Sequence, residues 1–92
     1  MIVKAEFFAD LRDNVGGASM DVSFGGGTVL DLIDAVDGIL GGIFKDLIVQ
    51  RTDLKDLVKI LVNGRDVRGL RGLYTELKEG DNVSFFPPIA GG

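Results

Sequence analysis

Histidine and cysteine are both absent from this sequence, so its ionisable side chains are carboxylates, amines, guanidiniums and one phenol. Without imidazole it lacks the usual general base and the commonest metal ligand, and without a thiol it has neither that nucleophile nor a disulfide. Two carboxylate pairs stand at i,i+3, Asp31 with Asp34 and Asp53 with Asp56. On a helix that spacing puts both acids on one face, as a metal site or an acid/base dyad would need. Here they read as solvated helix faces and caps, and no metal site is expected. Tyr74 is expected to cover the core. Gly25-Gly26-Gly27 is a turn and not a phosphate loop, because no Gly-Lys-Ser/Thr follows; the next lysine is Lys45. What remains is a carboxylate that belongs to the main chain, that of Gly92, behind Gly91 and the run Phe85-Phe86-Pro87-Pro88-Ile89-Ala90.

A glycine pair has no Cβ and can enter a slot too narrow for any other residue. Two prolines before it stiffen the approach into an extended rod. Such a rod is suited to delivering its tip into a partner's active site, where a terminal carboxylate can be captured. A carboxylate is a poor electrophile and must first become a mixed anhydride, most simply with AMP from ATP. Sulfide attack on that anhydride would leave a thiocarboxylate, a soft nucleophile able to donate sulfur. Amine attack would leave an amide to another protein. The sequence has no nucleotide site of its own, so no bound cofactor is expected and ATP would be used by the activating partner.

The elements must present this tail. Ile2 to Ala9 alternates, with Val3, Ala5 and Phe7 on one face and Lys4, Glu6 and Phe8 on the other, as in a half-buried strand. Asp10 is placed to cap a short helix ending at Gly16-Gly17. Met20, Val22 and Phe24 mark a second strand, antiparallel to the first. Thr28 with Asp31 forms a capping box ahead of a helix over 28–37. Segment 38–56 is less legible; Leu40, Ile43, Phe44, Leu47 and Ile48 suggest one or two amphipathic turns. A strand over 57–62 leads into the tight turn Asn63-Gly64 and a short return. The last strand is Asn82–Phe86, with Val83 and Phe85 facing in and Ser84 and Phe86 facing out.

The order is β-β-α-(α)-β-β-β. It predicts an α+β fold, a β-grasp (ubiquitin-like) mixed sheet with one main helix packed on one face. The expected core is Val3, Ala5, Phe7, Val22, Leu32, Ile33, Val36, Ile60, Val62, Val83 and Phe85. In this arrangement the last strand can lie parallel beside the first, so Phe8 and Phe86 would sit side by side on the wet face. Two exposed phenylalanines read as a docking patch, which Leu57 and Leu61 could extend.

Composition agrees. Ninety-two residues, with 46% hydrophobic and 26% charged side chains, suit a single domain over 1–92 with a flexible tail over 87–92. No apolar run is long enough to span a bilayer, and no signal peptide is visible. A cytoplasmic monomer when free, without membrane or nucleic-acid contact, is the expectation. Net charge is −4, yet residues 51–72 carry six basic and three acidic side chains. In a chain that is acidic overall, that basic middle reads as a solvated face or a patch for an acidic partner.

The resemblance now rests on identifiable residues. Phe7-Phe8-Ala9, Leu11-Arg12 and Gly16 resemble the first strand and helix of the MoaD/ThiS-like sulfur-carrier family, in particular MoaD, the small subunit of molybdopterin synthase. Thr28-Val29-Leu30-Asp31-Leu32-Ile33 resembles that family's helix start, and Val62-Asn63-Gly64 its third strand and turn. Leu77 to Gly92 resembles its end almost residue for residue. Asp66 departs from the pattern, standing at a hairpin position where an apolar contact is expected. The resemblance implies adenylation and then thiocarboxylation of Gly92. It also implies an E1-like adenylating enzyme of the MoeB class and a synthase large subunit of the MoaE class. Phe8, Phe86, Pro87, Pro88, Ile89 and Ala90 would meet these partners, and Gly91 and Gly92 would enter their active sites. Archaeal small ubiquitin-like modifiers share this scaffold and tail, and thiamine-pathway carriers share the Gly-Gly. Sulfur carriage and conjugation to lysines through Gly92 need the same activation.

Overall fold

A computed structural model describes residues 1–87. The elements run β1 Ile2–Phe7, α1 Asp10–Val15, β2 Ser19–Ser23, α2 Val29–Ile39, α3 Lys45–Ile48, β3 Val49–Gln50, β4 Asp53–Leu54, β5 Lys59–Val62, β6 Arg65–Asp66 and β7 Asn82–Phe86. Two 3-10 turns, Val67–Gly69 and Gly72–Tyr74, precede β7. The main sheet has the order β2-β1-β7-β5-β6, while β3 and β4 form a separate two-stranded ribbon. β1 pairs antiparallel with β2 and parallel with β7, and β7 pairs antiparallel with β5. The first and last strands are therefore central neighbours, as the β-grasp expectation requires.

Alternation along β1 and β7 sorts the side chains into two faces. Val3, Ala5, Phe7, Val83 and Phe85 point inward and are buried. α2 lays Val29, Leu32, Ile33 and Val36 over them, all buried. Its start is the expected capping box. The Thr28 hydroxyl accepts the Asp31 N–H at 3.3 Å, and the Asp31 carboxylate accepts the Thr28 N–H at 2.9 Å. Gly27, at φ 119°, stands so close to that carboxylate that a Cβ would collide with it. All eleven residues of the expected core are buried.

Segment 38–56 completes the core. Gly41 at φ 72° turns the chain out of α2, and the Gly42 N–H reaches back to the Asp37 carbonyl at 2.8 Å. The Asp37 carboxylate then accepts the N–H groups of Phe44 and Lys45 at 3.0 and 2.7 Å, which caps the start of α3. This aims Phe44 edge-on at two stacked rings: 5.6 Å from Phe7 at 84°, and 5.2 Å from Phe85 at 86°. Phe7 and Phe85 themselves stack at 5.7 Å. Ile48 and Leu54 of the same segment are also buried.

Several expectations need correction. Asp10 does not cap α1; it is the first helical residue, and Ala9, at φ 52° and without a side-chain acceptor, holds the cap position. Asp53 and Asp56 share no helix: Asp53 lies in β4, its carboxylate accepting the Leu54 N–H at 2.7 Å, and Asp56 follows in a turn. The other acid pair is as expected: Asp31 caps α2, and Asp34 lies exposed on it, pairing with Lys45 Nζ at 2.8 Å, a contact that raises the lysine pKa above its ordinary value. Tyr74 is 61% exposed and does not cover the core. In its 3-10 turn the adjacent Leu73 takes the inward position. Asp66 is half-buried and accepts the Arg68 N–H at 2.9 Å, a turn-capping role an apolar residue could not fill.

The aromatic cluster sets a prediction. Phe44→Ala should cost about 3–5 kcal/mol, because it empties a fully enclosed site. Tyr74→Ala should stay within about 0.5 kcal/mol as a surface change. Urea unfolding of both variants checks the pair, and equal losses would contradict the placement of Phe44 at the centre.

Candidate functional site: the outer face at the end of β7

The faces reverse at each step of β7. Phe85 enters the core, so Phe86 must leave it, and Pro87 carries the chain off the sheet, half-buried. Phe8 directly follows β1. Its N–H donates to the Phe85 carbonyl at 3.1 Å, continuing the parallel ladder one step. The Phe8 and Phe86 rings therefore stack, with centroids 4.4 Å apart and planes 11° apart. Both are half-buried, each covering part of the other.

The registers extend this face. Lys59 lies opposite Phe86, and Leu61 opposite both Ser84 and Asp66. Glu6 pairs with Ser84 from the other side. The outer surface near the end of β7 is thus an aromatic pair beside half-buried Leu61, rimmed by Lys59, Glu6 and Asp66. Leu57 stands just beyond, 61% exposed. Segment 38–56 does not cover this face, because Phe44, Ile48 and Leu54 pack on the inner one.

One contributor escaped the sequence reading. The Arg68 guanidinium donates to the Lys55 carbonyl at 2.7 Å and to the Val58 carbonyl. It ties down the connection that carries Leu57 at the edge of the apolar face. A lone arginine in a basic stretch reads as a solvated charge, and no pattern marks it as a tether.

The structure therefore brings Phe8, Phe86 and Pro87 together. Pro88, Ile89, Ala90, Gly91 and Gly92 lie outside the described residues. Among the described residues no cluster of three or more acids could hold a metal ion. None of their helices is long and apolar enough to cross a membrane. The carboxylate pairs are spent on caps, a turn and one surface ion pair, so they form no acid/base constellation.

Comparison with known proteins agrees with this geometry. The small archaeal modifier protein 3 of Haloferax volcanii is 39% identical over the whole of both chains. The sulfur carrier protein CysO of Mycobacterium tuberculosis is 36% identical over 89% of each. Among solved structures, a chain of the Amycolatopsis orientalis BexX/CysO complex superposes with a TM-score of 0.85 at 36% identity. The match covers 98% of this chain and 99% of that one. A putative molybdopterin converting factor subunit 1 from Pyrococcus furiosus gives 0.75 at 33% identity, covering 97% and 99%. These relatives are small carriers and modifiers rather than catalysts, and the CysO structure is of a complex. The ThiS family matches residues 5–92, nearly the whole sequence. A β-grasp scaffold suits such a carrier, and the chain belongs to the ThiS family of ubiquitin-like sulfur-carrier proteins.

Proposed function

We propose that the protein carries sulfur for molybdopterin synthesis as a MoaD-like small subunit, on the carboxylate of Gly92. The observation that carries this reading is the stacked Phe8–Phe86 pair where β7 ends. It gives a partner a rigid apolar foothold beside the point where the chain leaves the sheet. The similarity to the Pyrococcus converting-factor subunit supports the choice of pathway.

In this reading an E1-like enzyme of the MoeB class binds the outer face and ATP. The Gly92 carboxylate attacks the α-phosphorus, pyrophosphate leaves, and an acyl-adenylate forms. A sulfide donor displaces AMP and leaves a thiocarboxylate. The loaded carrier then docks through the same face onto a large subunit of the MoaE class. Its sulfur attacks an electrophilic carbon of the precursor and displaces an oxygen leaving group; water then hydrolyses the resulting thioester, which releases the carrier as a carboxylate and leaves the sulfur on the precursor as a thiol. This chain supplies the docking face, the rigid base of the tail and the reacting carboxylate; the partners supply ATP chemistry and the precursor site.

A second reading has its own support. The modifier from Haloferax volcanii matches over its full length. Amine attack on the same adenylate would join Gly92 to a lysine of another protein.

Intact mass separates the two. With the activating enzyme, ATP and a sulfur donor, the carrier should gain mass by exchange of one oxygen for sulfur. A ladder of lysine conjugates in cells, without a cofactor defect on deletion, would instead establish the modifier. Removing Gly92, or replacing Gly91 by Phe, should abolish activation and leave the unfolding midpoint unchanged, since a Cβ blocks a slot shaped for bare backbone. Activation of the Gly92 deletion at the normal rate would refute the mechanism.

The docking face is tested by neighbouring phenylalanines. Phe86→Ala should weaken binding to both partners roughly thirtyfold, about 2 kcal/mol, as loss of a central aromatic anchor does. Phe85→Ala should instead cost about 3–5 kcal/mol of stability. Calorimetric titration and urea unfolding read the two effects separately. Normal binding by the Phe86 variant would remove that face from the interface.

A further inference from the structure

The basic middle of the sequence has no part in the tail's chemistry, yet the structure gives it an arrangement. Arg68 is used internally, on the carbonyls of Lys55 and Val58. Arg65 and Arg71 instead line an open cleft of about 460 Å³ together with Lys78, at the end of β7 remote from Phe86. Among the described residues these three cationic heads make no ion pair or side-chain hydrogen bond.

The cleft walls are built before any ligand arrives. On one side the Thr75 hydroxyl donates to the Gly72 carbonyl at 2.8 Å and accepts the Arg71 N–H at 3.1 Å, which fixes the backbone of Arg71. On the other side the Asn63-Gly64 turn, with both φ values positive, places Arg65. Asn63 Nδ2 donates to the Asp81 carboxylate at 2.9 Å, and the Lys78 N–H donates to it at 2.7 Å. Asp81 is therefore occupied in holding the wall. Glu76 is the remaining acid of the lining, and Val62 and Leu70 add an apolar surface.

The geometry points to a binding site for a small phosphate monoester in this cleft. Two guanidinium forks and an ammonium match the oxygens and the double charge of a phosphate better than a single carboxylate would. The volume falls in the range of small-molecule sites and exceeds what inorganic phosphate fills. Val62 and Leu70 would take the organic part, and Glu76 would accept hydrogen bonds from its hydroxyl or amino groups. The strand separates this cleft from Phe86 by roughly 16 Å at the usual rise per residue. A ligand here would thus leave the docking face open, and the inference stands whichever fate Gly92 has.

Amide NMR titration of the full-length protein at fixed ionic strength tests it, with AMP, ribose 5-phosphate, inorganic phosphate, adenosine and a hexaglutamate peptide as probes. Both esters should give saturable shifts at Arg71, Thr75 and Lys78, about tenfold tighter than inorganic phosphate, and adenosine should give none. Combining Arg65→Gln with Arg71→Gln should weaken ester binding by about tenfold or more at an unchanged unfolding midpoint. Absence of saturable shifts, or equal affinity in the double variant, would overturn the site. Inorganic phosphate binding as tightly as the esters would reduce it to an adventitious anion patch. Binding of hexaglutamate alone would make it a surface for an acidic protein instead.

Discussion

Phe7 and Phe85 can stack at the centre of the core because β1 and β7 run parallel in the register Phe7↔Phe85. That one pairing also decides the outer face. A shift of one residue would send Phe86 inward and Phe85 into water, and would separate Phe8 from its stacking partner. The register is pinned from both flanks, by β2 through Val3↔Val22 and by β5 through Ile60↔Phe85. Buried side chains on four strands thus oppose any slip.

The same ladder explains why the chain leaves the sheet from a stiff base. β7 is bonded along both edges, and the Phe8 N–H extends the bonding to the Phe85 carbonyl. Docking a partner beside a pre-ordered element loses less conformational entropy than docking onto a loop. In the proposed function the carrier meets two partners in turn and would benefit from that saving at each encounter.

The strands and α2 were legible because period-2 and period-3.6 patterns are local and each had a clear boundary signal, such as the Thr28–Asp31 box and the Asn63-Gly64 turn. The pairing of Phe8 with Phe86 was legible too, since it follows from alternation once the two strands are neighbours. Segment 38–56 was not, because its anchor is long-range: Asp37 caps a helix of four residues that aims Phe44 at two distant strands. Tyr74 was misplaced for a related reason. In a 3-10 turn a single step decides which of Leu73 and Tyr74 points inward, and no periodicity surrounds them to settle it. The roles of Arg68 and of the Arg65–Arg71–Lys78 cleft depend on loops meeting in space, which charge counting along the chain does not show.

Two phenylalanines on the wet face would ordinarily expose apolar surface and invite aggregation. Stacking limits this. At 4.4 Å and nearly parallel, each ring shields one face of the other and leaves only edges and outer faces to water. Lys59 opposite Phe86, with Glu6 and Asp66 along the adjoining rows, adds charges of both signs around the pair. A partner of complementary charge can bury the remaining aromatic surface. The backbone ladder beneath the pair holds the stack in place, so in the proposed docking the ring area covered would not be offset by the ordering of loose side chains. An aromatic anchor that is half-buried, rigid and rimmed by charge can remain soluble and still bind.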